Sequence, residues 1–379
     1  MTVTTPKNIV IIGGGIAGVS TAYFLATSTA RSAETRITLV EGTKIAAGAS
    51  GYSGGFLAKD WHGSATASLS AMSYELHEKL AKEYGGKDQW GYRTVETLSI
   101  ETDAARSSNR PSPLKWLPEG LVQSSRNLGG HSTTAQVHPG LMTRFLAEQM
   151  LSKPNTSLLH GRAIGLTLAN DRANSITVEP SGGGDVLKIP ADVVVLAAGP
   201  WTGQLALDLL GKQVGGRVGV TGHRAHSIVL KTKEQLSAHC LFTSMSMADG
   251  SQGEPEVYAR PDGTTYICGC GDDEPLPRTA AEVRPSPKAI AKLHSQAVAL
   301  SPVFTKEHGM DVQAEQACFL PIADRGRPLV GKVRGVEGVY VGSGLSCWGV
   351  TQGPGTGLCL AEMILEGEVR SADISKLAP

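Results

Sequence analysis

Apolar positions along this chain follow two periods, broken by a few uninterrupted β-branched runs. The run Ile9-Val10-Ile11-Ile12 has no polar alternation, which predicts a parallel strand buried on both faces. It leads straight into Gly13-x-Gly15-x-x-Gly18 and a segment of helical spacing. Arg36-Ile-Thr-Leu-Val-Glu41 predicts a second strand, and Leu69, Met72, Leu76 and Leu80 recur at helical spacing with Glu and Lys opposite. Residues 92–100 turn β-like, 102–113 read as a polar surface linker, and 141–151 as a helix led in by His138-Pro139-Gly140. A second buried strand is expected within 191–200. From 218 to 271 apolar and polar residues alternate, with Asp262-Gly263 as the hairpin turn between 256–260 and 264–268. A helix over 290–300, a strand at 338–342, a glycine-rich turn and a helix over 357–365 complete the pattern.

Parallel α/β signals thus open, divide and close the chain, with meander signals between them. This order predicts an α/β protein in which a discontinuous Rossmann-like domain (1–89, 135–216 and 320–379) is interrupted by a smaller domain built on an antiparallel sheet (90–134 and 217–319). At 379 residues the chain can bury two cores. The formal net charge is zero and no block of like charges occurs, so nothing points to nucleic acid or an anionic membrane. No apolar run reaches membrane-spanning length, and the first eight residues lack the apolar core of a signal peptide. Ser375-Lys376-Leu377 is followed by two further residues, so it is not read as a peroxisomal address. A cytoplasmic protein is the expectation, with peroxisomal or endosomal association left open. The six cysteines show no paired metal spacing. Cys268 and Cys270 flank one glycine and are expected to point the same way along a strand, which makes no metal site.

The glycine turn carries the first chemistry. Gly13 permits the tight bend, Gly15 lets a diphosphate approach the backbone, and Gly18 lets helix and strand pack closely. The positive end of the following helix suits the diphosphate. Glu41 closes the second strand at about the spacing of an acid that binds ribose hydroxyls.

Three further segments decide which dinucleotide. Gly42-Thr-Lys-Ile-Ala-Ala-Gly-Ala-Ser-Gly-Tyr-Ser-Gly-Gly-Phe-Leu57 resembles a flavin-contacting loop of the D-amino-acid oxidase superfamily, which includes glycine and sarcosine oxidases. Ala191-Asp-Val-Val-Val-Leu-Ala-Ala-Gly-Pro-Trp-Thr202 is similar to its strand and turn closing over the dinucleotide. Pro328-Leu-Val-Gly331, residues 338–342 and Gly353-Pro-Gly-Thr-Gly-Leu358 are similar to its last strand and helix. Gln316-Ala-Cys-Phe-Leu-Pro-Ile and Ser346-Cys-Trp-Gly-Val look most like fungal members. The resemblance implies FAD held by Gly13, Gly15, Ile16, Ala17, Gly18, Glu41, Gly42, Ala49, Ser50, Ser53, Gly54, Gly55, Ala163, Ala198, Gly199, Trp201, Gly344, Cys347, Trp348, Gly349, Gly355 and Thr356. It also implies oxidation of a C–N bond in a small amine or N-substituted amino acid, with oxygen or an electron carrier as acceptor.

The chain departs from that pattern where relatives place a carboxylate-binding arginine. Leu320 stands in one such place and Cys347 in the other. Arg260 could substitute, or make a surface ion pair. Tyr258 could lie over the ligand, His62 near the ring, and Trp348 could wall the pocket. Only part of the set His223, Arg224 and His226 could reach a ligand, because neighbours on a strand face opposite ways. Relatives suggest a covalent flavin link at Cys318, but the sequence around it differs, so non-covalent FAD is the expectation and the link its alternative. A flavin dehydrogenase, and an FAD-bound protein with a trafficking or regulatory role, remain open as alternatives. An NAD-linked enzyme is disfavoured by the flavin-type loops.

Overall fold

In the computed structural model, which describes residues 6–379, Asn8–Ile12 lies at the centre of an eight-stranded sheet. Residues 1–5, which open the first expected segment, lie outside the described residues. Asn8–Ile12 runs parallel to Arg36–Glu41 on one side and Val193–Leu196 on the other, and Val339–Ser343 continues the parallel set. The uninterrupted apolar runs have a direct cause here. Ile9 and Ile11 face one core, with the helices Ile16–Thr27, Ala67–Tyr84, Pro139–Leu151 and Gly349–Leu365, while Val10 and Ile12 face a second core on the opposite side. The sheet extends through Thr156–Ala169, Arg172–Pro180 and Leu187–Pro190, a meander that the periodicity did not reveal. Its side chains alternate only weakly, and much of it is exposed.

A second sheet runs, in order, Asp311–Ala323, Val220–Lys231, Thr264–Asp272, Glu256–Ala259, His239–Ser246, Glu96–Asp103 and Val122–Gly129. The hairpin closes at Asp262-Gly263 as expected, with Gly263 at φ +79°. The sheet is not wholly antiparallel, since His239–Ser246 pairs parallel with Glu96–Asp103. Those strands lie far apart in the chain, so no tight turn forces opposite directions on them. The division expected between 319 and 320 falls inside the strand Asp311–Ala323. One face of this sheet packs Ile228, Leu241, Val257 and Ile267 under the helix Pro287–Leu300. The other face turns towards the first sheet's loops and carries Tyr258, Tyr266 and Phe242. A three-stranded ribbon (Phe56–Ala58, Thr134–Gln136 and Arg93–Thr94) lies between.

The final helix begins at Gly349, eight residues before the expected start, and carries Pro354 inside it. Glycines and a proline conceal it in the sequence, and the packing shows what they do. A Cβ on Gly353 would lie 2.8 Å from the Ile16 side chain, and one on Gly357 2.4 Å from the Ser20 backbone, so these positions let two helices touch. Pro354 has no N–H for the Val350 carbonyl. His77 Nε2, from the helix Ala67–Tyr84, donates to that oxygen instead, at 2.8 Å. Ser73 Oγ accepts from Gly355 N at 2.8 Å and donates to Thr351 O at 2.5 Å. Three backbone groups around the proline are thus satisfied by a neighbouring helix.

Candidate active site

The glycine turn opens onto a cavity of about 1540 Å³. That exceeds the roughly 300–1,000 Å³ of an ordinary small-molecule site, as an extended dinucleotide requires. Its walls include Gly13, Gly15, Ile16 and Ala17 from the turn, Glu41 and Gly42 from the second strand end, and Ala49, Ser50 and Ser53 from the next loop. Ala163, Ala198, Gly199 and Trp201 close it from the far side, and Cys347 and Gly349 line the end at the final helix. The glycines divide the labour as their spacing implies. A Cβ on Gly13 would stand 2.3 Å from Ala197 O, and one on Gly18 2.0 Å from Gly13 O. On Gly15 it would meet only Ser50 Oγ, at 3.2 Å, which leaves this backbone open to the cavity. Ser50 Oγ accepts from Ile16 N at 2.8 Å, while Glu41 accepts from Gly14 N and Thr43 N, each at 2.7 Å. A carboxylate fixed by two amides still has acceptor capacity towards the cavity. Trp201 Nε1 donates to Pro277 O at 2.7 Å, tying this wall to the second sheet's outer loop.

Several expected contacts fall elsewhere. Gly18 is packed inside the turn. Gly54 lies under the Tyr258 ring, where a Cβ would stand 2.2 Å away, and Gly55 at φ +86° abuts Val137 O. Gly344 (φ +75°) packs on Ala323. Gly355 and Thr356 are buried in the second turn of the final helix, since that helix starts earlier than expected, and Gly355 faces Ser73. The helix end that meets the cavity is therefore Gly349, reached through the turn Ser346–Trp348, in which Ser346 holds φ +51°. Cys318 is buried on the second sheet opposite Ala225, and burial pushes its thiol up to about 12.

Beyond the cavity's helix end, side chains take over from backbone. Tyr258 is stacked between Phe56 (5.7 Å) and Tyr266 (5.9 Å). Trp61 packs on Phe56, Phe242 and Trp348, and His62 meets Trp348 edge-on at 4.5 Å. His62 Nε2 donates to Ala58 O at 3.0 Å, and burial lowers its basicity, so the ring is neutral at pH 7. Arg260 makes no surface ion pair. It is 6 % exposed, donates to Ser53 O at 3.2 Å, and lies 5.2 Å over Tyr266. Its location on the same strand face as Tyr258 turns it inward, against the loop that lines the cavity. Arg224 is held by Asp272 at 2.7 and 2.8 Å, and His226 by Cys270 O and Ser286 N, so neither is free to bind a ligand. His223 is half-exposed near Asp273 at 3.7 Å. Cys268 and Cys270 do not share a face. Cys270 adopts φ +56° beside a register shift, so Cys268 joins the aromatic side and Cys270 the core under the helix Pro287–Leu300. Among the described residues no group of three or more His, Cys, Asp or Glu could hold a metal, and no helix is long and apolar enough to cross a membrane.

Sequence reasoning missed Phe56, Trp61, Phe242 and Glu256, which come together here from three distant segments. The alternation around Glu256 and Tyr258 signalled that the two share a face, but not that this face turns away from the helix Pro287–Leu300.

The sequence model of the FAD dependent oxidoreductase family, known as DAO, matches residues 8–363. A protein of Schizosaccharomyces pombe named as an oxidoreductase is 36% identical over 390 residues, 98% of each chain. Among solved structures, glycine oxidase from Bacillus cereus superposes with a TM-score of 0.76 at 17% identity, covering 99% of both chains. Iminodiacetate oxidase from Chelativorans sp. gives 0.74 at 21%, covering 98% of both. The chain belongs to the DAO family of FAD-dependent oxidoreductases.

Proposed function

We propose that this protein oxidises a C–N bond of a small amine or N-substituted amino acid. The observation that carries this reading is the single continuous cavity joining the glycine turn to the first turn of the final helix, beside an aromatic enclosure. Gly13, Gly15, Ile16, Ala17 and Ser50 would hold the diphosphate region of FAD, Glu41 and Gly42 the ribose, and Ala163, Ala198, Gly199 and Trp201 the opposite wall. Bound FAD would supply a two-electron acceptor at N5 for the hydride leaving the carbon α to nitrogen. The neutral amine gives up that hydride and becomes an iminium ion, and water then converts it to a carbonyl compound and an amine. Electrons leave to oxygen or to a carrier.

The chain's own part is placement and exclusion of water. Amide groups at Gly349 and Val350 point from a helix start, where negative charge is stabilised. Trp348, His62, Trp61 and Phe56 keep the reacting region apolar. No strong base is required once the amine arrives neutral. Attachment is non-covalent in this reading, because a thiol as reluctant to ionise as Cys318 is a poor nucleophile. The test is direct. The purified protein should be yellow, and an oxygen-free panel of amines and amino acids should bleach it. Yellow colour that no amine bleaches would defeat the reading and favour a non-catalytic role. Fast bleaching with slow recovery in air would identify a carrier as acceptor.

A further inference from the structure

Beyond the cavity's helix end, where Cys347 leads to Trp348 and Trp61, the inner face of the second sheet carries a carboxylate. Glu256 begins the strand Glu256–Ala259 and shares its face with Tyr258. Its register partners are Cys268 on one side and Phe242 on the other, so it sits in the middle row of the inner face. Ser227 and Gln316 extend the same row across two more strands, and Gln316 Nε2 donates to Tyr52 O in the loop ahead of Phe56. The row therefore faces the cofactor side of the molecule and not the helix Pro287–Leu300. Cys347, in the turn that lines the cavity, feels this carboxylate: burial and then the Glu256 charge raise its thiol.

Glu256 is half-buried and, among the described residues, has no lysine, arginine or histidine within ion-pairing distance. One oxygen accepts from Tyr258 Oη and from Cys268 Sγ (3.5 Å), which orients the group without neutralising it. Phe56, Trp61, Phe242 and Tyr258 form a chain of ring contacts beside it, from 5.1 to 6.1 Å between centroids. Phe56 and Tyr266 cover both faces of Tyr258, so a cation held by this carboxylate would meet the rings of Phe56, Trp61 and Phe242, and charge and ring quadrupoles both favour it there. Arg260 is committed to Ser53 O and Gly54 O and lies over Tyr266, and Arg93 donates to Ala259 O.

We infer that Glu256, with the aromatic enclosure of Phe56, Trp61, Phe242 and Tyr258, binds a cationic group of the substrate other than the nitrogen being oxidised. The oxidised nitrogen has to be neutral to release a hydride, so a carboxylate holding it as an ammonium ion would oppose reaction. A second positive centre, as in a diamine or an amine bearing a quaternary ammonium, satisfies both demands. A free amino-acid carboxylate would instead be repelled. This narrows the substrate class of the proposed function and rests on that reading for the chemistry, but not for the binding.

The FAD-loaded protein is titrated with 1,5-diaminopentane, (5-aminopentyl)trimethylammonium and 6-aminohexanoate, following the flavin spectrum and, separately, equilibrium dialysis. Both cations should bind at least about tenfold more tightly than the carboxylate, and Glu256→Gln should remove about that preference. Glu256→Asp keeps the charge and should retain part of it, and the wild-type preference should weaken as salt is raised. Tighter binding of 6-aminohexanoate than of either cation overturns the inference, as does a Glu256→Gln protein, folded by circular dichroism, that keeps the preference. If that variant does not fold, the wild-type order of affinities and the Glu256→Asp value decide. Bleaching by amines with no preference for a second cation sinks this inference alone. Tight binding of the diamine without bleaching by any amine sinks the proposed reaction alone.

Discussion

The two halves of the candidate site are built from different materials. The proposed dinucleotide side is built around main chain and small residues, with Gly13, Gly15 and Ala198 along its wall and Glu41 and Ser50 holding the amides of the turn. The proposed substrate side is built from large side chains, with Trp61, Phe242, Tyr258 and Trp348 in ring contact and Glu256 bonded to Tyr258. A backbone cradle depends on local conformation, so one added carbon can destroy it. A side-chain enclosure depends on distant segments meeting, so its character can change while the fold stays.

The largest effect should come from Gly18→Ala. Its methyl would stand 2.0 Å from a backbone oxygen that has nowhere to move, a clash of about 3–5 kcal/mol, and the purified protein should be colourless or insoluble. Gly15→Ala sharpens the contrast, since only the Ser50 hydroxyl is crowded. The fold should persist while FAD affinity falls about tenfold, read by flavin content after dialysis. A Gly15→Ala protein that retains flavin as wild type does would show that the diphosphate lies elsewhere.

Acid should act next, through the final helix. Burial lowers the pKa of His77 to about 4, and that of His138, which is also burdened by the Arg260 charge, to about 4. The unfolded chain takes up these protons near 6.5 and the folded chain only near 4. Stability is therefore complete above about pH 6.5 and declines as the pH falls towards 4, by about 3 kcal/mol for His77 alone. Urea midpoints across that window measure it. His77→Gln, which can still donate to Val350 O, should flatten the profile, whereas His77→Ala should cost about 1–3 kcal/mol at neutral pH by leaving that carbonyl unpaired. An unchanged pH profile in His77→Gln would assign the acid sensitivity to other groups. The smallest effect is expected of Cys318→Ser. Acid precipitation should release flavin into the supernatant from both this variant and wild type, and colour retained only in the wild-type pellet would establish a covalent bond.

The first elements were readable because each signal was local. A β-branched run, three glycines at fixed spacing and Arg36–Glu41 with its terminal acid specify strand, turn and strand from neighbours within a few residues. The alternation around Asp262-Gly263 located its hairpin for the same reason. Gly353, Pro354, Gly355 and Gly357 resemble a turn, which hides the first eight residues of the final helix from a local pattern. Only packing shows that the glycines admit Ile16, Ser73 and Ser20, and that His77 and Ser73 repair what Pro354 breaks. Cys270 escaped for a similar reason, as its left-handed backbone appears only once the strand is paired.

Sequence alone thus determined the glycine turn between two parallel strands and the family, because those rest on short-range backbone demands. Tertiary structure alone decided that Arg260 is buried, that Gly355 packs against a second helix and Thr356 against the strand Val339–Ser343, and that Glu256 has no ion-pair partner beside aromatic rings. Those facts depend on which residues, hundreds of positions apart, share one low-dielectric space, and no local pattern encodes that proximity.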